Sequence, residues 1–202
     1  MDNVENPASQ TLELSNGQKL AKHGIIHFTV IMIALSLWAA TDAWFLLTGL
    51  PLATFLSVVT GALAGLVATT LIHEWFHFAG ARVSGSSYRI PEKTGVFVYD
   101  YNYGANSIRQ FNMMSLAGQL GSVLAVLALD SMLTLDNPGR LMLVAGAIAS
   151  AVFGGFIEWP VLVRAQKSHD PLAELEKINP ATLGRGLFAA SGGGALFYFL
   201  MA

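Results

Sequence analysis

Apolar residues along this chain come in long runs rather than in alternation. Residues 25–47, 51–72, 111–129 and 141–157 are almost free of charge, and each is close to the roughly 20 residues a helix needs to cross bilayer hydrocarbon. With their flanks they predict spans over 25–47, 51–82, 108–134 and 139–164. A fifth apolar segment, 185–202, is shorter and interrupted by Gly192, Gly193 and Gly194. It is expected as a span that crosses in part or packs at a tilt. Between the second and third runs, residues 88–91 and 96–101 are β-branched and aromatic, separated by Glu92-Lys93-Thr94-Gly95, a pattern that predicts a β-hairpin. Residues 168–180 carry Asp170, Glu174, Glu176 and Lys177 and predict a polar connector with a short amphipathic helix. The expected fold class is an all-α polytopic membrane protein of about five transmembrane helices, with a small hairpin after the second. Its organisation is a polar N-terminal segment, 1–22, followed by a single membrane domain, 23–202.

Composition sharpens this picture. Only 12% of residues are charged and 53% are hydrophobic, whereas soluble domains carry about 25% charged residues. With the N-terminus inside, Lys19, Lys22, Arg82, Arg89, Lys93, Arg109, Arg164, Lys167, Lys177 and Arg185 all fall on the inner side and only Arg140 on the outer. Ten of the eleven basic residues then obey the positive-inside tendency. A multi-pass protein with a cytoplasmic N-terminus follows, and a bacterial inner membrane is its expected location. The first residues include Asp2, Glu5 and Glu13 and lack the basic start of a secretory signal, so the first run is expected as a retained anchor. No basic surface or phosphate-cradling glycine loop points to nucleic acid or nucleotides. The chain has no cysteine, which leaves histidine and carboxylate as metal ligands.

Small residues recur at helical spacing in two runs. Gly61, Gly65 and Thr69 lead at intervals of four to His73 and His77, and Gly146, Ser150 and Gly154 lead to Glu158. Stripes of this kind let membrane helices approach closely, so both polar sets are expected on packed faces near the cytoplasmic boundary rather than in lipid.

The first set is a His-Glu-x-x-His motif, His73-Glu74-Trp75-Phe76-His77. Histidines four apart share one helix face and can bind a single zinc ion, while the rotated Glu74 can act as base toward water. Two helix-end histidines resting at the headgroup level are the plainer alternative, disfavoured because ionisable groups in a membrane bundle are costly. Hydrolytic zinc takes three protein ligands, and depth selects Glu158 as the third: it precedes Arg164 much as His77 precedes Arg82. Asp170 is the alternative. His23 and His27 repeat the four-residue spacing, but five histidines in all are too few for a histidine-box di-iron site, and the pair reads as a polar collar on the first span. Asp42, Asp130 and Asp136 read as solvated outer helix ends. His169 with Asp170 reads as part of a charged loop, and Tyr88, Tyr99, Tyr101 and Tyr103 read as interfacial aromatics.

From these residues the chain resembles the site-2 protease family of intramembrane zinc metalloproteases. The resemblance covers about residues 55–165: the His73–His77 helix, a β-like loop over 84–103, a helix with Gly118-Gln119-Leu120-Gly121-Ser122 where the family has Gly-Pro-x-x-Asn, and a helix with Glu158-Trp159-Pro160 where the family supplies an Asp ligand. Gln119 replaces the family's Pro, Ser122 its Asn, and Glu158 its Asp; no PDZ-like insert is present. The resemblance implies hydrolysis of a peptide bond in a membrane protein substrate, with zinc as cofactor. It also implies substrate contacts by Val96, Phe97 and Val98 through strand addition, and by Gln119 and Ser122. A non-proteolytic subunit that keeps this fold to bind another membrane protein, with or without a structural metal, is the alternative function.

Overall fold

A computed structural model describes residues 14–202 of the chain; most of the expected polar N-terminal segment lies outside the described residues. Six helices and one two-stranded ladder follow in order: α1 (Asn16–Thr48), α2 (Pro51–Val83), β1 (Tyr88–Arg89), β2 (Asp100–Tyr101), α3 (Ile108–Met132), α4 (Pro138–Ser168), α5 (Pro171–Leu175) and α6 (Pro180–Met201). Among the described residues, α1, α2, α3 and α4 are long and apolar enough to cross a membrane, as an integral membrane protein requires. The fifth expected span corresponds to α6, which has the length of a crossing but is outside that apolar set.

Local sequence sets the helix ends. Ser15 and Gln18 form a reciprocal capping box that starts α1 at Asn16, ahead of the apolar run, because capping satisfies amides that apolarity does not address. Ser107 and Gln110 do the same for α3. Pro51, Pro138 and Pro180 each open a helix, where the missing N–H costs nothing. Gly49 closes α1 with φ 62°, the left-handed conformation glycine adopts without penalty.

α2 is the central helix, packed on α1, α3 and α4, and α6 lies against α4. The small-residue stripes form the α2–α4 seam. A Cβ on Gly65 would run into the carbonyl of Leu143, and one on Gly146 into that of Ala62, so the backbones touch where the spacing predicts. Thr70 and Ser150 share a hydrogen bond of 2.8 Å across the same seam. Gly194 brings α6 against the backbone of Ala145 and Gly193 faces the side chain of Val152, and the triple glycine lies within an unbroken helix rather than breaking it.

The hairpin is narrower than the sequence predicts. Pairing is confined to Tyr88 with Tyr101 and Arg89 with Asp100, so Val96, Phe97 and Val98 lie outside the ladder. The connecting segment is drawn onto α1 instead: His23 Nε2 donates to the carbonyl of Pro91 at 3.1 Å, His27 Nε2 to that of Gly95 at 2.7 Å, and Lys22 Nζ to that of Glu92 at 3.2 Å. Backbone groups satisfied by α1 are not available to a β-ladder. His23 and His27 are accordingly buried, a loop anchor rather than a collar at the headgroups. The connector behaves as expected, with the short α5 held by Glu174, which accepts from Arg164 at 2.9 Å and from Lys177 at 2.7 Å.

Candidate metal centre

The last third of α2 carries His73, Glu74 and His77 on the side that packs against α3 and α4, where Ser122 and Glu158 meet it. His73 and His77 are buried and their rings stand edge to face, centroids 4.3 Å apart. Glu158 of α4 turns a single oxygen toward both: Oε1 is 2.8 Å from His73 Nε2 and 3.2 Å from His77 Nε2.

Each imidazole is fixed from behind. His77 Nδ1 lies 2.9 Å from the carbonyl oxygen of Met114; a carbonyl can only accept, so Nδ1 carries a proton and Nε2 is the nitrogen turned toward Glu158. His73 Nδ1 is 2.9 Å from the hydroxyl of Ser122, and Gln119 Nε2 donates to the other oxygen of Glu158 at 2.8 Å. Inward-facing Nε2 atoms with Nδ1 tied to an outer partner are the usual arrangement of metal-binding histidines.

These donors fit a divalent cation on two grounds. Three electron-pair donors converge on one point, which requires a proton or a metal cation between them. Their observed separations of 2.8 and 3.2 Å are also near the ~3.3 Å expected between ligand atoms around a tetrahedral ion with bonds of about 2.0–2.1 Å. Glu74 belongs to the same cluster, with ligand atoms of His73, Glu74 and His77 all within 4.8 Å of one another. Two carboxylates therefore compete for a third coordination position. Glu158 reaches both Nε2 atoms within hydrogen-bond distance, and Glu74 stands in the wider ring.

The Gly118–Ser122 segment of α3 is fitted to this centre residue by residue. A Cβ on Gly118 would overlap the His77 ring and one on Gly121 would overlap Phe76, so the two glycines let α3 close onto the motif helix, while Gln119 and Ser122 hold the two ligand-bearing helices. Asp170 is occupied elsewhere: its carboxylate caps α5 by accepting from the amide of Ala173 at 3.0 Å.

A cavity of about 490 Å³ opens beside the centre, lined by Glu74, His77 and Glu158 together with Phe97, Tyr99 and Tyr103 of the loop. Phe97 is exposed there, Val96 is exposed outside the lining, and Val98 is fully buried beneath it. Sequence reasoning missed the anchor of this wall. Trp75 Nε1 donates to His27 Nδ1 at 3.1 Å, which leaves Nε2–H to hold Gly95, so the motif helix, α1 and the cavity loop are tied through one imidazole. The four-residue spacing of His23 and His27 was the available signal. Tyr99, expected as an interfacial aromatic, is 8% exposed and packs on Phe78 and Tyr88.

No protein-family model matches the chain, and no similar curated protein or solved structure was found.

Proposed function

We propose that this protein is an intramembrane zinc metalloprotease of the site-2 type, hydrolysing a peptide bond of a membrane protein substrate. The observation that carries the reading is the convergence of His73 Nε2, His77 Nε2 and Glu158 Oε1, with the rear nitrogen of each imidazole engaged. His73, His77 and Glu158 would hold the ion. Zinc, when bound, supplies Lewis acidity that polarises a carbonyl and eases deprotonation of water.

Glu74, unligated in this reading although it belongs to the cluster, takes a proton from the attacking water, then returns it to the leaving amine. Ser122 and Met114 keep the imidazoles in the required orientation, and Gln119 restrains Glu158. The loop wall over residues 97–103 borders the space in which an extended substrate segment lies. The metal end of the bundle faces the cytoplasm, since ten of eleven basic residues gather on that side.

A non-proteolytic membrane subunit is the second reading. It is favoured by the engagement of Gln119 with Glu158 and of Ser122 with His73, which leaves neither side chain free for a substrate.

The deciding experiment uses the full chain purified in detergent. Stoichiometric zinc is expected, retained in Glu74→Gln and Asp170→Ala and sharply reduced in Glu158→Ala. Cleavage of fluorescein-labelled casein should fall by about 10²–10⁴-fold in Glu74→Gln, the span of a general base. Loss of zinc from Asp170→Ala with retention in Glu158→Ala would reassign the third ligand. Absence of casein cleavage by zinc-loaded wild type would leave the subunit reading, and full cleavage by Glu74→Gln would remove Glu74 from the base role.

A further inference from the structure

The hydroxyls of the cavity wall point to a role that the metal ligands leave unfilled. Hydrolysis of an amide builds negative charge on the carbonyl oxygen, and a fixed hydrogen-bond donor aimed at that charge is among the largest contributions a site makes. Gln119 and Ser122, the candidates on α3, are both committed to the metal-binding side chains. The remaining neutral donors on the cavity include the phenols of the loop.

We infer that Tyr99 donates the hydrogen bond that stabilises the developing oxyanion of the substrate carbonyl. The ring of Tyr99 packs on Phe78 at 5.7 Å and on Tyr88 at 5.8 Å. Phe78 is one helical turn beyond Glu74 on α2, so the two share a helix face. Tyr99 therefore packs against the helix face that bears Glu74, and it lines the same cavity as Glu74, His77 and Glu158. Its ring is held on several sides, which makes the donor rigid without cost at the moment of reaction. Tyr101 lines the cavity as well, but its hydroxyl is buried from solvent and so does not compete. Tyr103 packs on Tyr101 and on Phe111 of α3 instead, so its ring is held from α3 rather than from the helix that bears Glu74.

Protonation agrees with the role. Burial first, and then the nearby charge of Glu74, push the Tyr99 phenol above its ordinary range, so it stays a donor at neutral pH. Tyr103 is pushed up to about 12, by burial and then by Tyr101, with Glu158 and Glu74 following. The charge of Glu74 thus acts on Tyr99 ahead of every other group.

The inference rests on the metalloprotease reading, and its test separates the two. Full-length wild type, Tyr99→Phe and Tyr103→Phe are purified in detergent and loaded with zinc. Acetohydroxamate, a zinc-directed carbonyl ligand, is titrated by calorimetry. Tyr99→Phe removes one oxygen and keeps the ring packing, so zinc content should match wild type while hydroxamate binds about tenfold more weakly. With labelled casein, kcat should drop by about 10²-fold in Tyr99→Phe while KM stays within about twofold, since the contact strengthens only as charge develops. Tyr103→Phe should keep wild-type hydroxamate affinity; a tenfold loss there instead of in Tyr99→Phe overturns the role of Tyr99 in favour of Tyr103. Unchanged hydroxamate affinity in Tyr99→Phe overturns the role of Tyr99 and leaves the metal site standing. Absence of zinc or of hydroxamate binding in wild type overturns the metalloprotease reading, and the Tyr99 role with it.

Discussion

The bundle of α1, α2 and α4 holds a polar cluster at each end, and the two are wired in opposite ways. At the end away from the metal centre, Asp42 is 5% exposed and meets only donors: the hydroxyl of Ser57 at 3.1 Å, the amide of Asn137 at 3.5 Å and the guanidinium of Arg140 at 3.3 Å. Arg140 also bonds Asp136 at 2.9 Å. Charge and hydrogen bonds close within the cluster. At the other end, Glu158 meets the Nε2 atoms of two imidazoles whose Nδ1 atoms are engaged on the far side by Ser122 and Met114. That cluster is held together by a proton or a cation between the nitrogens and the carboxylate, and it borders a cavity. Buried polar groups that satisfy one another hold helices together, whereas acceptors converging on one point beside a cavity mark a site for a ligand.

The comparison breaks most visibly at Asp42. Asp42→Ala leaves Arg140 without its buried partner and Ser57 without its acceptor, a loss of about 3 kcal/mol. Denaturation in mixed micelles should show this loss with zinc affinity unchanged, because the two clusters share no side chain. Altered zinc affinity in Asp42→Ala would mean that the ends are coupled.

Ser122→Ala tests the opposite end. Removing the hydroxyl behind His73 frees that ring, and zinc affinity should weaken by roughly 10–100-fold, read by competition with a chromogenic chelator, with little change in stability. A large stability loss with intact zinc affinity would turn Ser122 into a purely structural contact.

Trp75→Phe should have the smallest effect, about 1 kcal/mol, through loss of the hydrogen bond to His27. Faster protease nicking within residues 91–97 would report it, because His27 would no longer be fixed for Gly95. Unchanged nicking would separate the loop anchor from the motif helix.

Much of the site was legible because it follows helical period and depth. The stripe from Gly61 through Thr69 to His73 and the stripe from Gly146 to Glu158 predicted facing helices, and the α2–α4 seam with its two polar sets lies along them. The roles of Gly118, Gln119, Gly121 and Ser122 were not legible. Their partners are His77, Glu158, Phe76 and His73, and nothing in a local window specifies which side chain a glycine makes room for. His23 and His27 illustrate the same limit. A four-residue spacing puts two imidazoles on one face but does not say whether that face meets headgroups, a metal or a backbone carbonyl.

The sequence by itself determined that the chain is built of long apolar helices, which faces pack, and that two histidines and two glutamates sit at one level. The reason is that backbone hydrogen bonding inside apolar surroundings forces helix, and helix period then fixes the faces. Tertiary packing alone decided that the hairpin tip hangs from α1, that Asp42 is paired with Arg140, and that Tyr99 packs on Phe78 and lines the cavity with Glu74. Each of these depends on contacts between residues far apart in the chain, which arise only once the helices have chosen their neighbours.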